Sequence, residues 1–415
     1  MAANTTVDSP AHALDIGAVQ KALNEQSIGG WLFYFFHEND PLATRILKLE
    51  HDHFYSRRWF YYIPAKGTPV KLVHRIEMDA LDSLPGEKHV YLGWRELEEK
   101  LENIIKASSA RTVAMQYSPG NAVPYVSRVD AGTVELVQER GGVKVVSSAD
   151  LVQLFEARWT EAQLQTHIAA VEALKSIVFE AFAEIRRCVE GGIPVNEYDI
   201  QQFIIQGYGR HGMMSNSPPI VAVNGHAGLP HYTPSNSSHA PIKKGDFVLL
   251  DIWAKKSSPH DAVYGDITWT GFVGDEVPAK YTQIFKIVAG ARDAALELVR
   301  QAVGAGKSLR GAEVDDAARE FITKAGYGAN FVHRTGHSIG TEVHANGANI
   351  DNLETRDERR LVPNSAFSIE PGIYLDEFGV RSEIDVYIGE RNVVVAGQPI
   401  QQEVIPILGD IANVK

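Results

Sequence analysis

The 415-residue sequence predicts an α+β protein whose C-terminal part is internally duplicated, preceded by a smaller α/β domain. Three observations carry this expectation. At roughly 150 residues per domain, the length implies two or three domains. A Thr-x-x-Gln capping signal at Thr160–Gln163 opens a long helical repeat and puts a boundary near Arg158, so domains over 1–157 and 158–415 are expected. Beyond that boundary one order of elements occurs twice: long helix, glycine turn, shorter helix, Gly-Tyr-Gly, then strands rich in His, Asp and Glu. A duplicated half suggests two lobes related by a pseudo-two-fold axis, with a site between them.

In the first domain, which reads as mixed α/β, Trp31–Phe36 and Trp59–Ile63 are apolar and aromatic runs. Thr68–His74 and Thr112–Gln116 are β-branched and bounded by turn residues, which predicts strands. Glu96–Lys106 has the spacing of a short amphipathic helix. Gly141-Gly142 predicts a hairpin turn between strands over Thr133–Gln138 and Val143–Val146.

In the second domain, Leu164, Ile168, Val171, Leu174, Val178, Phe182 and Ile185 recur at three- and four-residue spacing after the cap, which predicts one long helix. Gly191-Gly192 ends it, and a helix over Glu197–Gln206 follows, closed by Gly207-Tyr208-Gly209. The second copy has a helix over Thr282–Val303, with Ile284, Ile287, Ala291, Ala295 and Leu298 on one face. Gly304–Gly306 and a helix over Val314–Ala325 come next, closed by Gly326-Tyr327-Gly328.

Lys+Arg 40 against Asp+Glu 52 gives a net charge of −12, the wrong sign for a nucleic-acid or anionic-membrane partner. The lone Cys188 excludes an internal disulfide and a cysteine-rich zinc site. Met1–Asp15 carries neither a basic nor an apolar leader region, and no apolar run has the length of a membrane span. A reduced, cytoplasmic, soluble protein is the expectation.

Two motifs mislead. Gly336-His337-Ser338-Ile339-Gly340 fits the nucleophile-elbow pattern, but the only later histidine is His344 and the only acid between them is Glu342. Neighbours that close do not build a triad across a sheet. Gly304-Ala305-Gly306-Lys307-Ser308 resembles the end of a P-loop, but it follows a helix and Gln301 stands where the first glycine belongs, so a helix cap and turn is expected.

The chemistry lies in carboxylates at element ends. Gly245–Asp251 reads as an apolar strand ending in Asp251, and Asp266 opens the next strand after a polar turn over Lys255–Val263. In an antiparallel hairpin the two aspartates can lie opposite one another on one face. Glu370, in Ser368-Ile369-Glu370-Pro371-Gly372, sits where an apolar strand meets a turn; His337 and Glu383 stand in similar glycine-bounded, apolar contexts. Burying four carboxylates and an imidazole together is prohibitive without a compensating cation. Two divalent ions would balance four negative charges. An oxygen-rich set suits Mn²⁺ better than a thiolate-type zinc site, with Co²⁺, Zn²⁺ and Fe²⁺ as alternatives. Two such ions about 3.5–4 Å apart can share a bridging hydroxide at neutral pH, so the implied reaction class is metal-assisted hydrolysis.

Over about Thr160 to Ile407 this set resembles the pita-bread metallopeptidases: methionine aminopeptidase, aminopeptidase P and Xaa-Pro dipeptidase (prolidase). All five metal-ligand positions occur in order: Asp251, Asp266, His337, Glu370 and Glu383. The resemblance implies that Asp251 chelates one ion, that Asp266 and Glu383 bridge both, and that His337 and Glu370 bind the other. It implies that a metal-bridging hydroxide attacks the scissile carbonyl while Glu370 handles its proton. His344 ends a Gly-His-x-x-Gly-x-x-x-His pattern and by resemblance hydrogen-bonds the developing oxyanion. His231, in Leu229-Pro230-His231-Tyr232, matches the family's other active-site histidine.

His333, four residues before His337, and Arg381, two before Glu383, match the proline-specific branch and would hold the substrate beyond the scissile bond. A salt bridge from Arg381 to Asp385 or to a neighbouring ligand is the alternative. The first domain is creatinase-N-like by the same resemblance. The implied activity is hydrolysis of the bond preceding proline in Xaa-Pro dipeptides. Aminopeptidase P action on longer peptides is the alternative, followed by a metal-independent creatinase-like amidinohydrolase and a catalytically silent binding module. A small peptide with proline second is the expected partner, and a homodimer the expected assembly. The chain departs from the family in three ways: a long Asp251–Asp266 separation containing His260 and Asp261, the latter a competing ligand; Trp253 where a small residue is common; and Trp269 where arginine is frequent.

Overall fold

The computed structural model describes residues 14–49 and 55–409, and most of the leader reading of Met1–Asp15 lies outside them. The chain forms two compact units, Met1–Glu156 and Ala157–Lys415.

The first unit is built in the order α1 (Ile16–Glu25), β1 (Gly30–Phe35), α2 (Pro41–Ile46), β2 (Trp59–Pro64), β3 (Val70–His74), β4 (Glu87–Tyr91), α3 (Trp94–Ala107), β5 (Thr112–Met115), α4 (Ala131–Gly141), β6 (Lys144–Ser147) and α5 (Ala149–Glu156). Its strands form one six-stranded sheet in the order β4-β3-β2-β1-β5-β6. β1 and β2 are buried at every position, which matches their uninterrupted aromatic runs. The predicted hairpin at Gly141-Gly142 is not formed. Thr133–Gln138 lies inside α4, capped by Asp130, whose carboxylate accepts the Thr133 N–H. Gly142, at φ 62°, is the left-handed C-cap of that helix, and β6 pairs in parallel with β5.

The second unit contains α6 (Glu161–Glu190), α7 (Glu197–Arg210), β7 (Met213–Met214), β8 (Ile220–Val223), β9 (Phe247–Lys256), β10 (Tyr264–Phe272), α8 (Ala279–Gly304), α9 (Gly311–Lys324), β11 (Ser338–Ile339), β12 (Ser365–Ile369), β13 (Gly372–Tyr374), β14 (Gly379–Arg381), β15 (Ile384–Ile388), β16 (Val393–Val395) and β17 (Ile405–Pro406). The Thr160–Gln163 capping box is present and starts α6. Helix α7 runs through the Gly-Tyr-Gly segment to Arg210 rather than stopping before it.

The duplication is visible as two helix pairs, each with its own hydrophobic core. In one, Leu174, Val178, Phe182 and Ile185 of α6 join Val248, Leu250 and Ile252 of β9. In the other, Ile284, Val288, Ala291, Ala295 and Val299 of α8 join Phe367 and Ile369 of β12 and Val386 of β15. The buried stripe of α8 is centred on these residues, with Ile287 and Leu298 at its margin. The first core backs a sheet ordered β17-β10-β9-β7, with β8 also on β9; the second backs a sheet ordered β11-β12-β15-β16. Burying a Leu, Ile or Phe side chain contributes about 1.5–3 kcal/mol. Each sheet is therefore a rigid support for the polar side chains on its other face. Gly304–Gly306 is the predicted cap and turn, with Gly306 at φ 63°. Among the described residues no helix is long and apolar enough to cross a membrane.

Candidate metal centre

Asp251 stands in the middle of β9 and Asp266 near the start of β10. β9 does not end at Asp251; it continues to Lys256, which shortens the connecting loop to residues 257–263. Antiparallel pairing sets Asp251 across from Thr268 and Asp266 across from Trp253. The aspartates are therefore diagonal neighbours on one face, not directly opposed as the hairpin reading had them. His337 immediately precedes β11, and its N–H donates to Ser368 Oγ at 3.0 Å. A Cβ on Gly336 would stand 1.9 Å from the Ser368 carbonyl oxygen, so only glycine allows this approach. Glu370 follows β12, fixed by its N–H donating to the Thr335 carbonyl at 2.7 Å. Glu383 lies in the short step from β14 to β15.

The fold gathers all five. Ligand atoms of Asp266, His337 and Glu383 lie within 4.8 Å of one another. His337 Nε2 is 3.5 Å from Asp266 Oδ2 and 3.4 Å from Glu370 Oε1. Arg381 connects Asp251 to this group: its Nη2 binds Asp251 Oδ2, and its Nε is 4.0 Å from Glu370 Oε2. These five residues line a cavity of about 300 Å³, as do His231, His333, His344 and Arg381. Asp261, the competing ligand, is exposed in the 257–263 loop and does not line it.

The electrostatics of this cluster call for cations. Burial pushes the Asp266 and Glu383 carboxyls well above the usual carboxylate range, and the surrounding carboxylates push the same way. Burial raises Glu370 to about 7 against the pull of Arg381. The His337 imidazole is driven well below its ordinary value by burial and by His344, which favours the neutral, metal-binding form. Asp266 Oδ1 and Glu383 Oε1 are buried without a hydrogen-bond partner among the described residues. Orphaned carboxylate oxygens beside a neutral imidazole fit divalent ions with oxygen and nitrogen ligands.

The remaining predicted residues surround this floor. The His344 ring lies 4.3 Å from the His337 ring. His231 is an exposed side chain on the cavity wall. His333 is engaged at both nitrogens, Nδ1 with the Arg334 carbonyl at 2.6 Å and Nε2 with the Tyr374 hydroxyl at 2.7 Å. Arg381 takes the salt bridge to a neighbouring ligand, Asp251, and also donates to Tyr374 Oη at 2.8 Å and Thr268 Oγ1 at 3.2 Å. Ser338 of the elbow-like motif is buried, and its Oγ accepts the Gly347 N–H at 3.0 Å, a structural bond.

Sequence reasoning missed three residues. Thr268 donates to Glu383 Oε2 at 2.8 Å; its position two residues after Asp266, on the same strand face, was the available signal. Asp385 accepts the Asp266 N–H at 2.8 Å; it stands two residues after Glu383, and that same-face spacing was its available signal. Tyr374 links His333 to Arg381 and carries no local signal.

The model of metallopeptidase family M24 matches residues 166–390, more than half of the chain. A relative from Mycobacterium tuberculosis named "Probable dipeptidase PepE" is 32% identical over 213 residues, which is 51% of this chain and 52% of that protein. The structure of the Xaa-Pro dipeptidase from Bacillus anthracis superposes with a TM-score of 0.58 at 22% identity, covering 94% of this chain and 98% of that one. The X-prolyl aminopeptidase from Caenorhabditis elegans, described as a cytosolic enzyme with a di-nuclear active site, gives a TM-score of 0.62 at 16% identity over 96% of this chain and 63% of that one. The two structural likenesses show the fold, and the expected pita-bread architecture is present. Since the family model covers every residue of the carboxylate–histidine floor, this chain belongs to metallopeptidase family M24.

Proposed function

We propose that the protein hydrolyses the peptide bond preceding proline, with Xaa-Pro dipeptides as the preferred substrates, using two divalent ions, Mn²⁺ foremost. The observation that carries this reading is the joining, in one cavity, of a cation-demanding floor to a polar end lined by Arg381 and His333, which Tyr374 links. Asp251, Asp266, His337, Glu370 and Glu383 would hold the ions. When bound, the ions supply Lewis-acid polarisation of the scissile carbonyl and a water nucleophile at neutral pH.

The chain's own residues do the rest. Glu370 takes the nucleophile's proton, and His344 hydrogen-bonds the oxygen on which charge develops. His231 stands by the scissile amide. Arg381 and His333, joined through Tyr374, receive the proline carboxylate at the polar end. The proline-directed names of the Bacillus and Caenorhabditis proteins support the specificity, and the di-nuclear site of the latter supports two ions. Residues 1–157 are assigned as a creatinase-N-like domain and 158–415 as the catalytic domain of a cytoplasmic homodimer.

The test is proline release from Ala-Pro by EDTA-stripped protein before and after Mn²⁺ addition, with Ala-Pro-Ala alongside. Metal-restored cleavage of Ala-Pro alone supports the dipeptidase. Cleavage of the tripeptide moves the assignment to an aminopeptidase. No cleavage of either by metal-loaded protein refutes the proline specificity, and activity indifferent to verified stripping refutes the metal mechanism.

A further inference from the structure

Glu197, at the first turn of α7, is fully buried and lies outside the metal floor. A buried carboxylate is costly unless its lone pairs are filled, and here they are filled by one stretch of chain. Its Oε1 accepts from the Val223 N–H at 2.8 Å and from His226 Nδ1 at 2.9 Å. Its Oε2 accepts from the Tyr232 hydroxyl and from the Ala240 N–H, each at 2.6 Å. Val223 and Ala240 are the two roots of the segment that carries His231, and Tyr232 is the residue next to that histidine. The His226 ring also stacks on Tyr232, with centroids 4.1 Å apart.

His231 itself is exposed, and among the described residues no hydrogen bond holds its ring. Its place in the cavity is therefore set by its chain neighbours. On one side the Pro230 carbonyl accepts from Arg381 Nη1 at 3.4 Å; on the other Tyr232 is tied to Glu197. We propose that Glu197 and Tyr232 are positioning residues for catalysis, a buried clasp that aims His231 at the scissile amide. This rests on the peptidase reading above, since it is His231's role there that makes its aim matter. Charge-assisted hydrogen bonds in a closed network fix geometry more firmly than neutral ones, and a displacement of about 1 Å at a reacting group can cost about a hundredfold in rate.

The experiment uses the metal-loaded full chain and the substitution Tyr232→Phe, which deletes one hydroxyl and keeps the ring stack. Two readouts are taken: hydrogen exchange over residues 224–240, and kcat and KM for Ala-Pro, alone and combined with His231→Ala. The clasp predicts faster exchange in that segment. It also predicts a fall in kcat of about tenfold, the loss expected for one charge-assisted hydrogen bond, with KM within about twofold. On the His231→Ala background it predicts no further fall. Unchanged exchange, or losses that multiply in the double variant, would overturn the proposal. A parent enzyme that cleaves no Xaa-Pro substrate would instead refute the assigned reaction and leave the exchange comparison to decide the clasp. Glu197→Gln serves as the second variant: it breaks the acceptor set and is expected to give a larger change in the same two readouts.

Discussion

Thr268→Val is the perturbation that probes the metal floor most cleanly. The side chain is fully buried on β10, directly across from Asp251. Its hydroxyl donates to Glu383 Oε2 at 2.8 Å and accepts from Arg381 Nε at 3.2 Å. Valine has nearly the same volume, so no cavity term enters. What is lost is one hydrogen bond to each of two buried ionisable groups. Each such group left unsatisfied costs about 1–3 kcal/mol, so the unfolding free energy is expected to fall by about 2–6 kcal/mol. Glu383 also loses the partner that orients it, and outer-shell losses of this kind lower metal affinity about 10–100-fold. The assay pairs the urea midpoint of stripped protein with calorimetric titration of Mn²⁺. A variant that keeps both the parent's midpoint and, within about twofold, its Mn²⁺ affinity would refute the reasoning, because Thr268 would then hold neither Glu383 nor Arg381 in place.

Further outcomes test other parts of the molecule. Burial raises the Asp40 carboxyl to about 7 from an ordinary 3.8, so between these values the folded unit holds a proton that the unfolded chain has released. The stability contributed by the first unit should therefore fall as pH rises from about 4 to 7, and Asp40→Asn should remove that slope. The variant's gain over the parent at pH 8, bounded at about 4 kcal/mol, is read from urea midpoints across pH; a parent that becomes more stable over this window contradicts the assignment. Gly336→Ala would force its methyl into the Ser368 carbonyl, 1.9 Å away, and should displace His337, cutting both metal content by mass spectrometry and stability. Full metal loading in that variant would show that the strands can part without cost. Ser338→Ala removes a buried bond to Gly347 and should lower stability by about 1 kcal/mol while leaving hydrolysis within a fewfold of the parent. Abolished turnover in a folded variant would restore the nucleophile-elbow reading.

Much of this protein is written locally in its sequence. The start of α6 is decided by Thr160 and Gln163, whose mutual capping needs nothing beyond three residues of chain. The buried stripe of α6 follows closely from apolar spacing, whereas that of α8 is centred on Ile284, Val288, Ala291, Ala295 and Val299, leaving the expected Ile287 and Leu298 at its margin. The ligand candidates were legible because Asp251, Asp266, His337, Glu370 and Glu383 each stand against an apolar or glycine-bounded context, where an unpaired charge is anomalous. Where two local signals compete, the sequence alone misleads. Gly141-Gly142 serves as well for a hairpin as for a helix C-cap, and the Asp130 cap on Thr133 decides for the helix.

Only the tertiary structure could decide what depends on distant backbone. The two-residue offset between Asp251 and Asp266 is a matter of strand register, which the packing of a whole sheet face selects. The link from His333 through Tyr374 to Arg381 joins three segments. The filling of Glu197 by donors from Val223 to Ala240 is equally non-local. Local patterning fixes which side chains leave the backbone on a buried face. Which of them then meet depends on how the sheets and loops close, and that closure sets both the charge balance of the carboxylate–histidine floor and the placement of the segment that carries His231.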